Sequence, residues 1–176
     1  MRHNRASKER RATYSALSSI FLGSFAAFAF YQSRTKKQFQ PSALELVQLA
    51  FASYRLGRMV AYDKVFESYR HPFAKTIPDP TGAGDTTAPR GTGVRHTIGE
   101  LLTCPICAGT WISAGLVYFL NLYPSAARTF LAITSAIGAA EFLNSATEAF
   151  EWLGQAEREE AGAMEVRKRE PGREKR

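Results

Sequence analysis

The sequence predicts an all-α, multi-pass membrane protein with four membrane segments, ending in an antiparallel helical hairpin. Residues 12–33 and 101–127 hold no charged side chain, and runs of 22 and 27 residues exceed the roughly 20 needed to cross a hydrocarbon core. Basic residues collect beside these runs rather than within them. Two further segments, 42–62 and 126–153, are apolar over much of their length with their polar residues gathered on one helical face. At 176 residues, 45% of them hydrophobic, the chain is ample for one compact unit and marginal for two.

The net charge of +7 does not indicate nucleic acid, because 12 of the 23 Lys and Arg lie in residues 1–11 and 154–176 and no groove-reading or base-stacking module is visible. Basic residues beside apolar spans attract anionic lipid headgroups and fix orientation, so the partners expected from charge are the lipid bilayer and its anionic headgroups.

Residues 1–11 are a basic N-terminal tail, and transmembrane segment 1 follows at 12–33 with Arg34, Lys36 and Lys37 behind it. Ser15, Ser19, Gly23 and Ala27 recur every fourth residue, which gives a small-residue face on which a second helix can approach closely. The basic start, apolar middle and Ala27-Phe28-Ala29 also resemble a secretory signal; the long apolar stretch and the basic residues behind it favour a retained span.

A membrane domain at 34–153 comes next. Its first helix, about 42–62, opens on Ser42-Ala-Leu-Glu45, the spacing of a capping box. Glu45, Gln48, Arg55, Arg58 and Tyr62 fall near one face, so an interfacial amphipathic helix is the alternative to a span. Residues 76–93 collect three prolines and four glycines and read as a flexible exposed loop. Its Gly82-Ala-Gly84 lacks the strand-turn-helix setting of a phosphate loop. Thr97-Ile-Gly-Glu100 repeats the capping-box spacing and starts a short helix that Cys104-Pro105 ends. Segment 105–122 follows, Asn121 to Ser125 make a turn, and segment 126–153 returns with Ala132, Ala136 and Ala140 spaced for tight packing. Its second half aligns Glu141, Asn144, Glu148 and Glu151. Residues 154–176 are a charged C-terminal tail, solvated and partly helical or disordered.

With four spans and a cytoplasmic N-terminus, inside pieces carry five Lys and Arg in 1–11, five in 63–100 and seven in 154–176; Arg34, Lys36, Lys37 and Arg128 face outward. That asymmetry of 17 to 4 places both termini in the cytoplasm. Arg55 and Glu141 each lie 13 residues along their helices from Ser42 and Arg128, about 20 Å deep, which suggests pairing Arg55 with Glu141 and Arg58 with Asn144 or Glu148. Such pairs orient helices; a proton or ion path through the same acids is the alternative reading.

The sharpest chemical signal is Cys104-Pro105-Ile106-Cys107, the chain's two cysteines at a helix start. Pro105 suits the first helical position, which puts Cys104 at the cap. A helix N-terminus stabilises thiolate, so the pair is a candidate for redox exchange or for metal, with His71 and His96 as distant further ligands; small apolar packing at a bend is the plainer alternative. At the cytoplasmic boundary the two are expected as thiols, with Cys104 the more exposed.

The run from Ala50 through Arg55-Leu-Gly-Arg58 and Tyr62-Asp63-Lys64, then Arg70-His-Pro-Phe73 and Cys104-Pro-Ile-Cys107-Ala-Gly109-Thr-Trp111, resembles domain-of-unknown-function family 1360. The resemblance covers about residues 42–150 and marks Tyr62, Asp63, Lys64, Gly109 and Trp111 as family-like positions. It implies a small bacterial integral membrane protein, in some cases labelled as sporulation-linked, and supplies no activity. The first segment, the Gly/Pro/Thr insertion and the charged tail depart from the shorter family pattern.

The reading as a whole is a bacterial inner-membrane protein acting through helix packing, partner binding or homo-oligomerisation, with no catalytic residue assigned, no cofactor expected beyond a metal at Cys104 and Cys107, and no nucleic acid. A membrane thiol redox or metal-responsive protein is the first alternative. A phage-type lysis or pore protein, suggested by size, span number and charged tail, is the second.

Overall fold

The computed structural model describes the backbone of residues 2–35, 39–79, 81 and 84–169. Its elements are α1 (Arg2–Thr35), α2 (Ala43–Tyr62), a 3-10 turn (Lys64–Phe66), α3 (Glu67–Arg70), β1 (Ala74–Pro78), β2 (Asp85–Pro89), α4 (Gly93–Thr103), α5 (Pro105–Leu122) and α6 (Pro124–Arg169). Two compact units divide the chain, Met1–Gly138 and Ala139–Arg176. Three helices are long and apolar enough to cross a membrane: Ser7–Thr35, Pro105–Leu122 and Pro124–Arg158. α2 is not among them, since its 20 residues carry Glu45, Arg55 and Arg58.

The basic residues expected as a tail are the first turns of α1. The helix packs on α4 and α5 through its bulky side, with Phe21 edge-on to Trp111 at 5.2 Å and Phe28 against Tyr118 at 4.4 Å. Ser15, Ser19 and Ala27 are exposed, and nothing lies within 4 Å of a side chain added at Gly23. The small-residue face therefore points away from the neighbours, and the contact is made by ring packing instead.

α2 begins on the expected capping box. The Glu45 amide donates to Ser42 Oγ at 3.2 Å, and the Ser42 amide donates to Glu45 Oε2 at 2.8 Å. Arg128 Nε donates to Glu45 Oε1 at 2.9 Å, which ties the start of α6 to the start of α2. Between them lies the main core, Leu49, Ala52, Leu116, Leu120, Ala127 and Leu131.

The buried face of the first part of α6 is Ala127, Leu131, Thr134, Ser135 and Gly138, while Ala132, Ala136 and Ala140 are exposed. Close approach comes at Gly138, where a Cβ would strike the Phe51 carbonyl of α2. In the second unit, the helix continues to Arg169 with Phe142, Leu143, Phe150, Trp152 and Leu153 exposed, and Asn144 Nδ2 donates to Glu148 Oε1 at 2.9 Å.

The chain is mostly helical, as expected, but the stretch read as a loop carries an antiparallel hairpin, which corrects that reading. Ala74 pairs with Pro89, Thr76 with Thr87 and Pro78 with Asp85. Thr and Ile supply β-branched residues, and the prolines sit at strand ends, where a missing N–H costs least. Residues 80, 82 and 83 of that stretch lie outside the described residues. α4 also starts earlier than its second capping-box spacing suggests: Thr92 is the N-cap, and Thr97 is fully buried with its hydroxyl donating to the Gly93 carbonyl at 3.2 Å.

Candidate functional site at the end of α2 and the α4–α5 elbow

A helix end leaves its last carbonyls without intrahelical donors. At the end of α2 these are met from outside the helix. Arg70, only 3% exposed, donates from Nη1 to the Asp63 carbonyl at 2.7 Å and the Val60 carbonyl at 3.3 Å, and from Nη2 to the Tyr62 carbonyl at 3.1 Å. Thr87 of β2 donates to the Ala61 carbonyl at 3.0 Å, and the Asp63 amide donates to Met59 at 3.2 Å. A buried cation at the negative end of the helix dipole is favourable. Arg70 thus binds α3 to α2, and Thr87 binds the hairpin to it. α4 closes on the same unit, since a Cβ at Gly99 would collide with the Phe73 carbonyl.

The family-like positions now have physical roles. Asp63 ends α2 and accepts from Arg55 Nη2 at 2.5 Å. Arg58 lies over the Tyr54 and Tyr62 rings, 5.7 Å from each centroid. Lys64 opens the 3-10 turn. Gly109 lies where α2 and α5 meet: a Cβ at Gly57 would fall 2.5 Å from the Pro105 carbonyl and 3.2 Å from Gly109 Cα. Trp111 holds α1 through Phe21. Arg55 thus has a partner in Asp63 that depth alone did not suggest, and Asn144 and Glu148 bond to each other within α6.

Cys104 closes α4 and opens α5, with Pro105 following it as expected. The two cysteines are joined in a disulfide, which corrects the expectation of free thiols. Their Cα atoms are 5.2 Å apart, within the range a bridge needs, because the first turn of α5 folds Cys107 back over Cys104. The Cys107 amide donates to Cys104 Sγ at 3.3 Å. Cys107 is exposed and Cys104 half-buried, the reverse of the expected order, and Ile106 between them is 81% exposed. His71 sits beside Arg90 and His96 beside Glu100, and no group of three or more His, Cys, Asp or Glu is placed to hold a metal among the described residues.

These features were missed from sequence for one reason: Arg70 and Gly99 act on backbone carbonyls, which leave no mark on residue type. A signal did exist for the α2–α5 crossing in Ser53-x-x-x-Gly57 and Pro105-x-x-x-Gly109, paired small-residue spacings on the two helices.

The fold and site define a helical protein with three helices able to cross a membrane and a cap held on the end of α2, α3 by the buried Arg70 and the hairpin by Thr87. The chain belongs to the family described as protein of unknown function (DUF1360), whose model matches residues 48–147, so α1 lies outside the matched part. It is 31% identical over 115 residues to the sporulation protein YjcA of Bacillus subtilis (strain 168), an alignment covering 64% of this chain and 96% of that protein. It is also 34% identical over 109 residues to the UPF0713 protein YngL of the same organism, covering 60% of this chain and 79% of that protein. No solved structure matches it.

Proposed function

We propose that the chain is a bacterial cytoplasmic-membrane protein with four membrane segments and a terminal helical hairpin, both termini in the cytoplasm, that works by presenting its cap to a partner protein. The observation that carries this reading is the Arg70 lock. It fixes the segment between α2 and β1 on the end of a membrane-domain helix while Val65 and Tyr69 project outward, 76% and 77% exposed. Exposed apolar side chains on a rigid platform are suited to protein contact. A photo-crosslinking residue at Tyr69 should give one discrete protein adduct in native membranes, and Val65→Asp should abolish it. Adducts to lipid alone would remove the proposal. Arg55, Arg58, Glu141, Asn144 and Glu148 serve in this reading to orient helices, and additive stability losses for Arg55→Ala and Glu141→Ala would remove the Arg55–Glu141 pairing.

The disulfide favours a second reading, thiol exchange. A partner thiolate attacks exposed Cys107 Sγ, the Cys104–Cys107 bond breaks, and Cys104 leaves as a thiolate that accepts the Cys107 amide. The partner's second thiol, losing its proton, then displaces Cys107, so two electrons pass to this chain and the partner gains a disulfide. In the reverse direction the Cys107 thiolate of Cys104→Ser attacks the disulfide of the oxidised partner, one partner sulfur leaves as thiolate, and with no Cys104 to resolve it the mixed disulfide should accumulate; its absence would sink this reading.

A further inference from the structure

Two clefts in the first unit meet at Tyr14. The larger, about 640 Å³, is lined by Arg10, Arg11, Tyr14, His96 and the chain around Gly93. The smaller, about 380 Å³, runs between α1, α4 and α5 beside Leu17, Phe21, Leu22, Leu101 and Trp111. Tyr14 stands at the boundary in sequence as well, because Arg10 and Arg11 are the last charges before the uncharged stretch 12–33. With α1 across a bilayer, the first cleft lies at headgroup depth and the second at acyl-chain depth.

The acids near the polar cleft are already engaged. Glu100 accepts from Arg10 Nε at 3.0 Å and from the Tyr14 hydroxyl at 3.0 Å, with His96 Nε2 at 3.6 Å. The Glu9 carboxylate reaches Gly93, so the start of α4 is already met by a negative charge of the chain and is not counted as part of the site. Arg11 makes no ion pair among the described residues. A cationic recess that shares Tyr14 with an adjacent apolar groove matches a ligand with an anionic head and a hydrocarbon tail.

We infer that the joined clefts bind one anionic phospholipid of the surrounding bilayer, its phosphate against Arg11 and His96 and an acyl chain along Leu17, Phe21 and Trp111. The inference rests on α1 crossing the membrane, and the experiment separates failure of that premise from failure of the site. Full-length Trp152→Phe protein, with Trp111 its only tryptophan, is reconstituted in vesicles of phosphatidylcholine containing brominated lipid. Quenching of Trp111 by brominated phosphatidylcholine at high mole fraction establishes that Trp111 meets acyl chains; its absence overturns the premise and the site with it. At low mole fraction, brominated phosphatidylglycerol should quench more strongly than brominated phosphatidylcholine. Arg11→Gln should weaken that preference about fivefold, and Arg11→Lys should restore it. Equal quenching by the two lipids, or a preference unaltered in Arg11→Gln, would overturn the site. Displacement by soluble glycerol phosphate as effectively as by the lipid would overturn it too, in favour of a water-soluble phosphate ligand.

Discussion

Arg70 spends its guanidinium on three main-chain oxygens, and this sets what its loss should do. Hydrogen bonds to a charged group are worth about 1.5–3 kcal/mol each, and removing the donor leaves the Val60, Tyr62 and Asp63 carbonyls at a helix end without it. Arg70→Ala should therefore destabilise the protein by about 3–5 kcal/mol in a detergent melting assay. Arg70→Lys should recover only part of this, because an ammonium lacks the planar fork that reaches neighbouring carbonyls. A wild-type melting temperature in Arg70→Ala would show that the lock is idle. Arg55 should couple to Asp63 by about 1 kcal/mol in a double-mutant cycle, and zero coupling would mean that their contact is not a stabilising one. The sequence identified Arg55 as a polar residue needing a partner, and Asp63 escaped it as one such partner, since the turn that brings Asp63 back is built by the helix end itself.

Two element starts were legible from a local signal, although the same capping-box spacing at Thr97 misplaced the start of α4. Ser42 and Glu45, and Cys104 followed by Pro105, mark the starts of α2 and α5 because a cap involves residues within one turn. Packing faces were not, because they depend on which surface a neighbour offers. Gly23 and Gly57 show the difference: each stands in a small-residue pattern, yet Gly23 faces open space and Gly57 faces the Pro105 carbonyl. Gly57→Ala should cost about 1–3 kcal/mol by pushing α5 away, whereas Gly23→Ala should be neutral or stabilise by up to about 1 kcal/mol. Equal effects at the two sites would refute the α2–α5 crossing. The hairpin escaped the sequence reading because its five-residue strands lie among prolines and glycines that signal a loop. Its turn carries a titratable group, Asp79, whose carboxylate accepts from the Thr81 amide at 2.8 Å and hydroxyl at 2.6 Å; these bonds, the hydroxyl's first, hold its pKa below the usual carboxylate value. A lowered folded-state value means that the contribution is present above the ordinary carboxylate range and fades as pH falls through the lowered value. The protection of the Thr81 amide, its exchange rate divided into the intrinsic rate at each pH, should fall on acidification in the wild type and be low and independent of pH in Asp79→Ala; a pH-dependent protection unchanged in the variant would place its origin elsewhere.

At the scale of the whole molecule, topology and cysteine chemistry constrain each other. If α2 spans, both termini, Gly84 and the α4–α5 elbow share the cytoplasmic side, in agreement with the 17 to 4 asymmetry of Lys and Arg. The disulfide then lies in a reducing compartment, where such bonds are transient and belong to exchange chemistry. If α2 lies on the surface and the N-terminus is cytoplasmic, the elbow faces outward, where the same bond persists as a brace. That arrangement exports the ten basic residues of 34–104 together with the seven of the C-terminal part, against the retention of positive charge. We therefore expect reporter fusions at Gly84 and Arg176 to read cytoplasmic and a fusion at Lys37 to read external. In intact cells an impermeant maleimide should fail to label Cys107 even after mild reduction, and should label it once the membrane is opened. Labelling in intact cells, with an external Gly84, would remove the four-span arrangement. It would also turn the disulfide from a site of electron transfer into a fixed clasp between α4 and α5, so one pair of measurements decides both the path of the chain and the chemistry open to its two sulfurs.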